Sequence, residues 1–247
     1  MKIKEKIKGD LIKGFVNAEL MDMIKENALP YRKLMSYYRC AMMEIETKFN
    51  VLNDQFSLQY ERNPIESIKT RLKSPESLLR KLRKKDLPVT IESVEDNIYD
   101  VAGIRVICSF IEDIYNLAEC LLRQDDIKLI EIKDYIKEPK KSGYRSLHLI
   151  VEVPIFLEDE KKLVKAEVQL RTIAMDFWAS LEHQIKYKQD VVMQDEIVEE
   201  LRQCAEVINI TDEKMMNIRR KIDASTEAPT EDEIMLEKLC KLDINLE

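Results

Sequence analysis

The segment KAEVQLR, residues 165–171, alternates with a period of two. Lys165, Glu167, Gln169 and Arg171 fall on one side, and Ala166, Val168 and Leu170 on the other. That is the pattern of a β-strand with one face in a core and one face polar. Two other segments repeat it. In IESIKTRLK (65–73), Lys69, Arg71 and Lys73 oppose Ile68, Thr70 and Leu72; in SLHLIVEV (146–153), Ser146, His148 and Glu152 oppose Leu147, Leu149, Val151 and Val153. For one amphipathic strand a solvated sheet face is the simpler reading. Three strands bearing the same polar side favour a cleft whose reverse side packs on helices.

Working outward, the β-branched runs GIRVICSF (103–110), IKLIEIKDY (127–135) and LVKAEVQL (163–170) alternate with helical stretches, so residues 64–188 read as an α+β core. Residues 1–60 place Leu20, Ile24, Leu34, Tyr38, Met42 and Ile45 at helical spacing, with Pro30 read as a break between two helices. A charged helical pattern returns over about 192–223, and after STEAPT (225–230) a last helix is expected from Glu231. No internal repeat or long linker divides the chain. The expected fold is a mixed, mostly antiparallel sheet flanked by helices, with N- and C-terminal helical extensions, as a single unit over 1–247.

Composition narrows the function. Of 247 residues, 45% are hydrophobic and 35% charged, with only 4 Gly and 7 Pro, which excludes collagen-like and low-complexity chains. No run of roughly 18 apolar residues is present, and the start, MKIKEKIKGD, lacks the apolar stretch of a secretory signal, so a cytoplasmic protein with no membrane association is expected. The five cysteines (Cys40, Cys108, Cys120, Cys204, Cys240) are odd in number and form no CxxC pair, which disfavours a disulfide framework and a structural zinc site. The net charge of −7 argues against nonspecific nucleic-acid binding as the main role, and RNA binding is not predicted. The charge is unevenly spread. Between Lys69 and Lys85 stand Lys69, Arg71, Lys73, Arg80, Lys81, Arg83, Lys84 and Lys85 against Glu76 alone, which implies a local anion site.

The four glycines, Gly9, Gly14, Gly103 and Gly143, form no GxGxxG, and Phe15 stands where a Walker lysine would follow Gly14. Phosphates must therefore be held by side chains. Ser74 and Pro75 read as N-cap and first residue of a helix on which Ser77, Lys81 and Lys84 share one face. A strand bearing Arg71 and Lys73 thus runs directly into a basic helix, which suits a polyphosphate; a solvated basic helix is the plain alternative. Phosphate chemistry also calls for a divalent metal on carboxylates with open positions. Asp100, ahead of the strand AGIRVI, and Glu167, within a strand, are the best placed acids, and Gly103 permits a bulge or close backbone approach. A third cluster, KDYIKEPKKSGYRSLHL (133–149), surrounds a Pro and Gly turn with Lys133, Lys137, Lys140 and Lys141 and then presents Tyr144, Arg145 and His148. A tyrosine beside cations suits purine stacking, although a loop tyrosine and a strand histidine are also ordinary packing residues. His183 and Trp178 are read as packing or capping of the cleft.

Four segments, RLKSPESLLRK (71–81), YDVAGIRV (99–106), KDYIKEPKKSGYRSLHL (133–149) and AEVQLRTIAMDFWASLEHQIKYK (166–188), taken in order, resemble the synthetase domain of the RelA/SpoT family in its stand-alone form, the small alarmone synthetases. The resemblance covers about half the chain. It implies a nucleotidyltransferase-like fold and a GTP pyrophosphokinase that moves the β,γ-pyrophosphate of ATP to the 3′-hydroxyl of GDP or GTP. The products are the stringent-response alarmones ppGpp or pppGpp, with AMP. It implies Mg²⁺ on Asp100 and Glu167, the latter as base or through the metal. ATP would be held by Arg71, Lys73, Ser77, Lys81, Lys84 and Arg105, and the guanine nucleotide by Lys133, Lys140, Tyr144, His148, Gln169 and Arg171, with Tyr144 stacked on the base. A homotetramer built through terminal helices is likewise implied. The only histidines, His148 and His183, lie inside these motifs, so the metal-binding histidines of the family's hydrolase domain are missing and no hydrolase activity is expected. Ahead of the lysine loop, Glu131–Ile132–Lys133–Asp134 matches neither a fully basic nor a fully acidic pattern, so the choice among GDP, GTP and GMP stays open. A nucleotidyltransferase releasing pyrophosphate and a non-catalytic nucleotide- or RNA-binding module are the competing readings.

Overall fold

The computed structural model describes residues 28–60, 62–188 and 195–225, so the helices expected ahead of Pro30 and from Glu231 lie outside the described residues. Helix α1 (Ala28–Tyr60) contains Pro30 in its first turn, where an imide nitrogen forfeits no helical hydrogen bond. Pro30 therefore stands near the start of the described helix, and the helix expected ahead of it falls outside the described residues. There follow β1 (Ile65–Leu72), α2 (Pro75–Lys84), α3 (Ile91–Asn97), β2 (Ala102–Cys108), α4 (Ile111–Leu122), β3 (Lys128–Asp134), β4 (Leu147–Phe156), β5 (Lys161–Thr172), α5 (Ile173–Lys188) and α6 (Asp195–Ser225).

The strands form one sheet in the order β1-β2-β5-β4-β3. Only β2 and β5 run parallel; the other three pairs are antiparallel, which is the mixed, mostly antiparallel sheet expected. Its back face carries Ile104, Val106, Leu149, Val151, Val168 and Leu170, all fully buried with Ile45 and Phe49 of α1 and Leu117 and Leu121 of α4 in one continuous core. Ile45 and Phe49 are spaced four apart, as one buried helix stripe requires. Truncating Phe49 to Ala would cost about 3–5 kcal/mol through lost burial and the cavity left behind.

Register sets the front face. Arg71, Gly103, Glu167, Ile150 and Glu131 stand in one row across all five strands, and Lys69, Arg105, Gln169, His148 and Lys133 in the next. The outer strand reaches this alignment through a bulge between Leu129 and Glu131, which turns Glu131 and Lys133 toward Ile150 and His148. Of the bulge or close backbone approach that Gly103 permitted, the bulge is absent: the residue lies in regular pairing between Arg71 and Glu167, and its missing side chain keeps the floor between them low.

Helices α5 and α6 close one end of this face. Trp178 of α5 is buried with Ala179 and Ala205, and its indole N–H donates to the Leu201 carbonyl at 3.1 Å, so it ties α5 to α6. His183 is exposed. The thiols of Cys40, Cys108, Cys120 and Cys204 are all free, as the sequence implied.

Candidate active site

The polar rows floor a cleft of about 400 Å³ lined by Lys69, Thr70, Arg71, Lys73, Asp100, Gly103, Ile104, Arg105, Glu167 and Gln169. One flank comes from β1 and α2. The Lys73 amide extends the ladder one residue beyond β1, donating to the Val101 carbonyl at 2.9 Å. Ser74 then caps α2, its hydroxyl accepting from the Ser77 amide at 3.3 Å, with Pro75 in the first turn. Burial of Leu78, Leu79 and Leu82 fixes the helix azimuth. Lys81 consequently points back to the strand. Lys73 and Lys81 both reach Asp100 Oδ2, at 2.8 and 2.7 Å. Burial alone would raise the Asp100 carboxyl, but hydrogen bonds and charge from the two lysines outweigh it and hold the group below the ordinary aspartate value. Asp100 Oδ1 is buried without a hydrogen-bond partner.

The other flank is a closed circuit. Gln169 Nε2 donates to Glu167 Oε2 at 2.7 Å, and His148 Nδ1 lies 3.1 Å from Glu167 Oε1. Tyr144 Oη is 2.8 Å from His148 Nε2, and Arg171 Nη2 donates both to Tyr144 Oη at 2.6 Å and to Gln169 Oε1 at 2.9 Å. With Glu167 ionised, the hydrogen-bond network assigns the donor role of His148 to Nδ1 and the acceptor role, toward the tyrosine hydroxyl, to Nε2, so every donor meets an acceptor around the ring. Burial pushes Glu167 up, yet the His148 and Gln169 hydrogen bonds hold it below the usual glutamate value despite the Asp100 charge nearby.

The sequence-predicted residues divide accordingly. Arg71, Lys73, Lys81, Asp100, Arg105, Glu167 and Gln169 gather on the cleft, and Tyr144, His148 and Arg171 join them through the circuit. Lys140 lies over the rings of Tyr135 and Tyr144, 4.4 and 4.5 Å from their centroids. Lys133 stands in the His148 row and pairs with Glu131 at 2.8 Å. Ser77 is turned into its own helix cap, accepting from Ser74 and Arg80, and Lys84 is exposed one turn beyond Lys81.

Sequence reasoning missed two features. Asp176, in the first turn of α5, is buried against three cations: Arg105 and Arg171 each at 3.2 Å from Oδ1, and Lys69 at 3.4 Å from Oδ2. An acid in the first turn of a helix that follows a strand with an arginine next to its last residue was the available signal, hidden by the apolar residues around it. The second is α6, which buttresses the tyrosine loop. Gly143 adopts φ +87°, and a Cβ there would meet Ala205 Cβ at 2.4 Å. Arg145 pairs with Glu206 at 3.1 Å and Thr172 donates to Asp212 at 2.6 Å, both side chains of α6.

Among the described residues no group of three or more His, Cys, Asp or Glu is arranged to enclose a metal. A hard cation that takes one or two carboxylates and completes its shell with water and phosphate oxygens is a different case. The unpartnered Oδ1 of Asp100, with Glu167 two strands from the edge and within electrostatic reach, fits such a cation.

The family model described as a region found in RelA / SpoT proteins matches residues 70–192. The GTP pyrophosphokinase YwaC of Bacillus subtilis is 43% identical over 82% of this chain and 97% of its own length. The crystal structure of small alarmone synthetase 2 from Bacillus subtilis superposes with a TM-score of 0.71 at 42% identity, covering 77% of this chain and 98% of that one. Small alarmone synthetase 1 from the same organism, bound to its product pppGpp, gives 0.72 at 33% identity over 78% and 98%.

Proposed function

The chain belongs to the RelA/SpoT family, and from that premise we propose which groups of its cleft hold each nucleotide and move the pyrophosphate. The chain is a GTP pyrophosphokinase of the small alarmone synthetase kind, transferring pyrophosphate to a guanine nucleotide. In the proposed arrangement ATP lies on the β1–α2 flank, its phosphates taken by Arg71, Lys73 and Lys81, with Ser77 and Lys84 at the rim and Arg105 beside the base or phosphates. The acceptor lies on the β4–β5 flank, its guanine against Tyr144 and its phosphates near Lys133, Lys140 and His148, with Gln169 and Arg171 holding that side in place.

The observation that carries this reading is a pair of buried polar atoms without partners at the cleft, an acceptor at Asp100 Oδ1 and a donor at Arg105 Nε. Leaving either unmatched is costly, and a cation and an anion together satisfy both. Mg²⁺ held by Asp100 and Glu167 would neutralise charge on the transferred phosphates. Glu167 accepts the proton of the attacking 3′-hydroxyl. Its low pKa keeps it ionised at neutral pH but limits its pull on a proton, so most of the acceleration falls to alignment of the hydroxyl with the β-phosphorus.

We further read the active form as a cytoplasmic homotetramer. Among the described residues no helix is long and apolar enough to cross a membrane. Ile173, Phe177, Leu181 and Ile185 form an exposed apolar stripe along α5, at a spacing suited to burial against another helix. Size-exclusion chromatography with light scattering tests the assembly.

The activity itself is tested by incubating the protein with γ-labelled ATP, Mg²⁺ and, in separate reactions, GMP, GDP and GTP. Label in a guanosine product, with AMP in equal amount, is expected. Release of free pyrophosphate without AMP, or no labelled guanosine product with any acceptor, overturns the reading.

A further inference from the structure

We propose that Asp176 is a positioning residue that couples the two nucleotide sites, so that ATP tightens the grip on the acceptor. The proposal rests on the reading of Arg105 as donor-side and Arg171 as acceptor-side. One oxygen, Oδ1, accepts from Arg105 Nη1 and from Arg171 Nη1, each at 3.2 Å, while Lys69 reaches Oδ2 at 3.4 Å. Three strands thus send a cation to one carboxylate: β1 through Lys69, β2 through Arg105 and β5 through Arg171. The two arginines repel one another, and the anion between them offsets that repulsion.

The coupling follows from competition for a shared acceptor. Arg105 is about a third exposed and lines the cleft, whereas the Arg171 side chain is only 5% exposed and is fixed to Tyr144 and Gln169. When an ATP group draws Arg105 toward itself, Oδ1 is left to Arg171. The bond to Arg171 then strengthens, and with it the placement of Tyr144 and Gln169 on the acceptor side. Linkage is reciprocal, so a bound acceptor tightens ATP by the same factor. Asp176 is suited to this because Thr172 caps α5, its hydroxyl accepting from the Met175 amide at 3.1 Å, so the first turn that carries the carboxylate is rigid.

The test measures GDP dissociation constants by calorimetry, with Mg²⁺, in the absence and presence of the α,β-methylene analogue of ATP. The full chain is compared with Asp176→Asn and Asp176→Glu. In the parent chain the analogue is expected to tighten GDP by at least about fivefold, the lower end of the usual range of coupling between sites. In Asp176→Asn that ratio falls to one while the analogue and GDP, each alone, still bind. Asp176→Glu keeps the first-turn charge that favours the helix, and so the fold, but displaces the oxygen by a methylene; it too is expected to lose most of the coupling. A purely structural role would weaken both ligands alone and leave their ratio intact. A parent ratio of one, or an unchanged ratio in the folded variants, overturns the proposal. Failure of the parent chain to bind either nucleotide would instead overturn the site assignment on which it rests.

Discussion

The two flanks of the cleft are built on opposite plans. On the β4–β5 flank, Tyr144 of the loop before β4 and His148, Glu167, Gln169 and Arg171 of the two inner strands satisfy one another in a closed circuit. On the β1–α2 flank an edge strand and a short helix present exposed Arg71 and half-buried Lys73 and Lys81 to Asp100, which keeps one buried oxygen unmatched. The first flank is organised before any ligand arrives; the second holds its charges on a carboxylate that a ligand's phosphates must compete with. Chemistry gains most from groups already in place, whereas a flexible polyphosphate is better met by long cationic side chains that adjust to it. Damage to the two flanks should therefore read out differently, as turnover on one and as affinity on the other.

The largest effect should come from Glu167→Gln, which keeps the shape but removes the ionised acceptor: kcat is expected to fall on the order of 10³-fold with KM for ATP changed little. A comparable rise in KM for ATP, with turnover retained, would erase the distinction between flanks. Lys73→Ala probes the other side. Loss of a charge-assisted contact of about 1.5–3 kcal/mol should raise KM for ATP roughly 10- to 100-fold, with a smaller change for the acceptor in the same steady-state assay. Tyr144→Ala should raise KM for GDP by about tenfold or more, as expected for a lost stacking partner, and leave ATP nearly untouched; equal losses would count against stacking. Gly143→Ala forces a side chain onto φ +87° and into Ala205, so a milder version of the Tyr144 defect is expected, together with a lower melting temperature by calorimetry.

The smallest effect concerns pH. Asp100 and Glu167 are both held below their ordinary values, so the unfolded chain binds more protons than the folded one and stability rises with pH through the acid range. Their contribution is complete above the unfolded carboxylate range, about pH 5, and is lost as pH falls through the folded values. Melting temperatures between pH 7 and 3 should decline less steeply for Asp100→Asn than for the parent chain. An identical slope would mean that the lysine pairing does not persist in solution.

Much of this architecture was legible in the sequence, for identifiable reasons. Period-two alternation in 65–73, 146–153 and 165–171 reports directly on which side chains share a face, and the pleat makes that inference nearly independent of context. Ser74–Pro75 announced α2 because capping is local. What alternation does not carry is register between strands: that Lys69, Arg105, Gln169, His148 and Lys133 share one row depends on strand order and on the bulge at Ile130. Asp176 left only the local signal of Arg171 five residues before it, and the support from α6 left none. Their remaining partners are far away in sequence, Arg105 for Asp176 and Arg145 for Glu206, and no spacing rule connects such pairs.

The central claim is that one face of the sheet grips two nucleotides side by side, one on each flank. A crystal structure of the chain with Mg²⁺, GDP and the α,β-methylene analogue of ATP tests it most directly. The expected result places the analogue's phosphates against Lys73 and Lys81 and the guanine against Tyr144, with the 3′-hydroxyl facing Glu167. Either nucleotide seated outside the cleft bounded by Arg71, Asp100, Glu167 and Tyr144 would contradict the account.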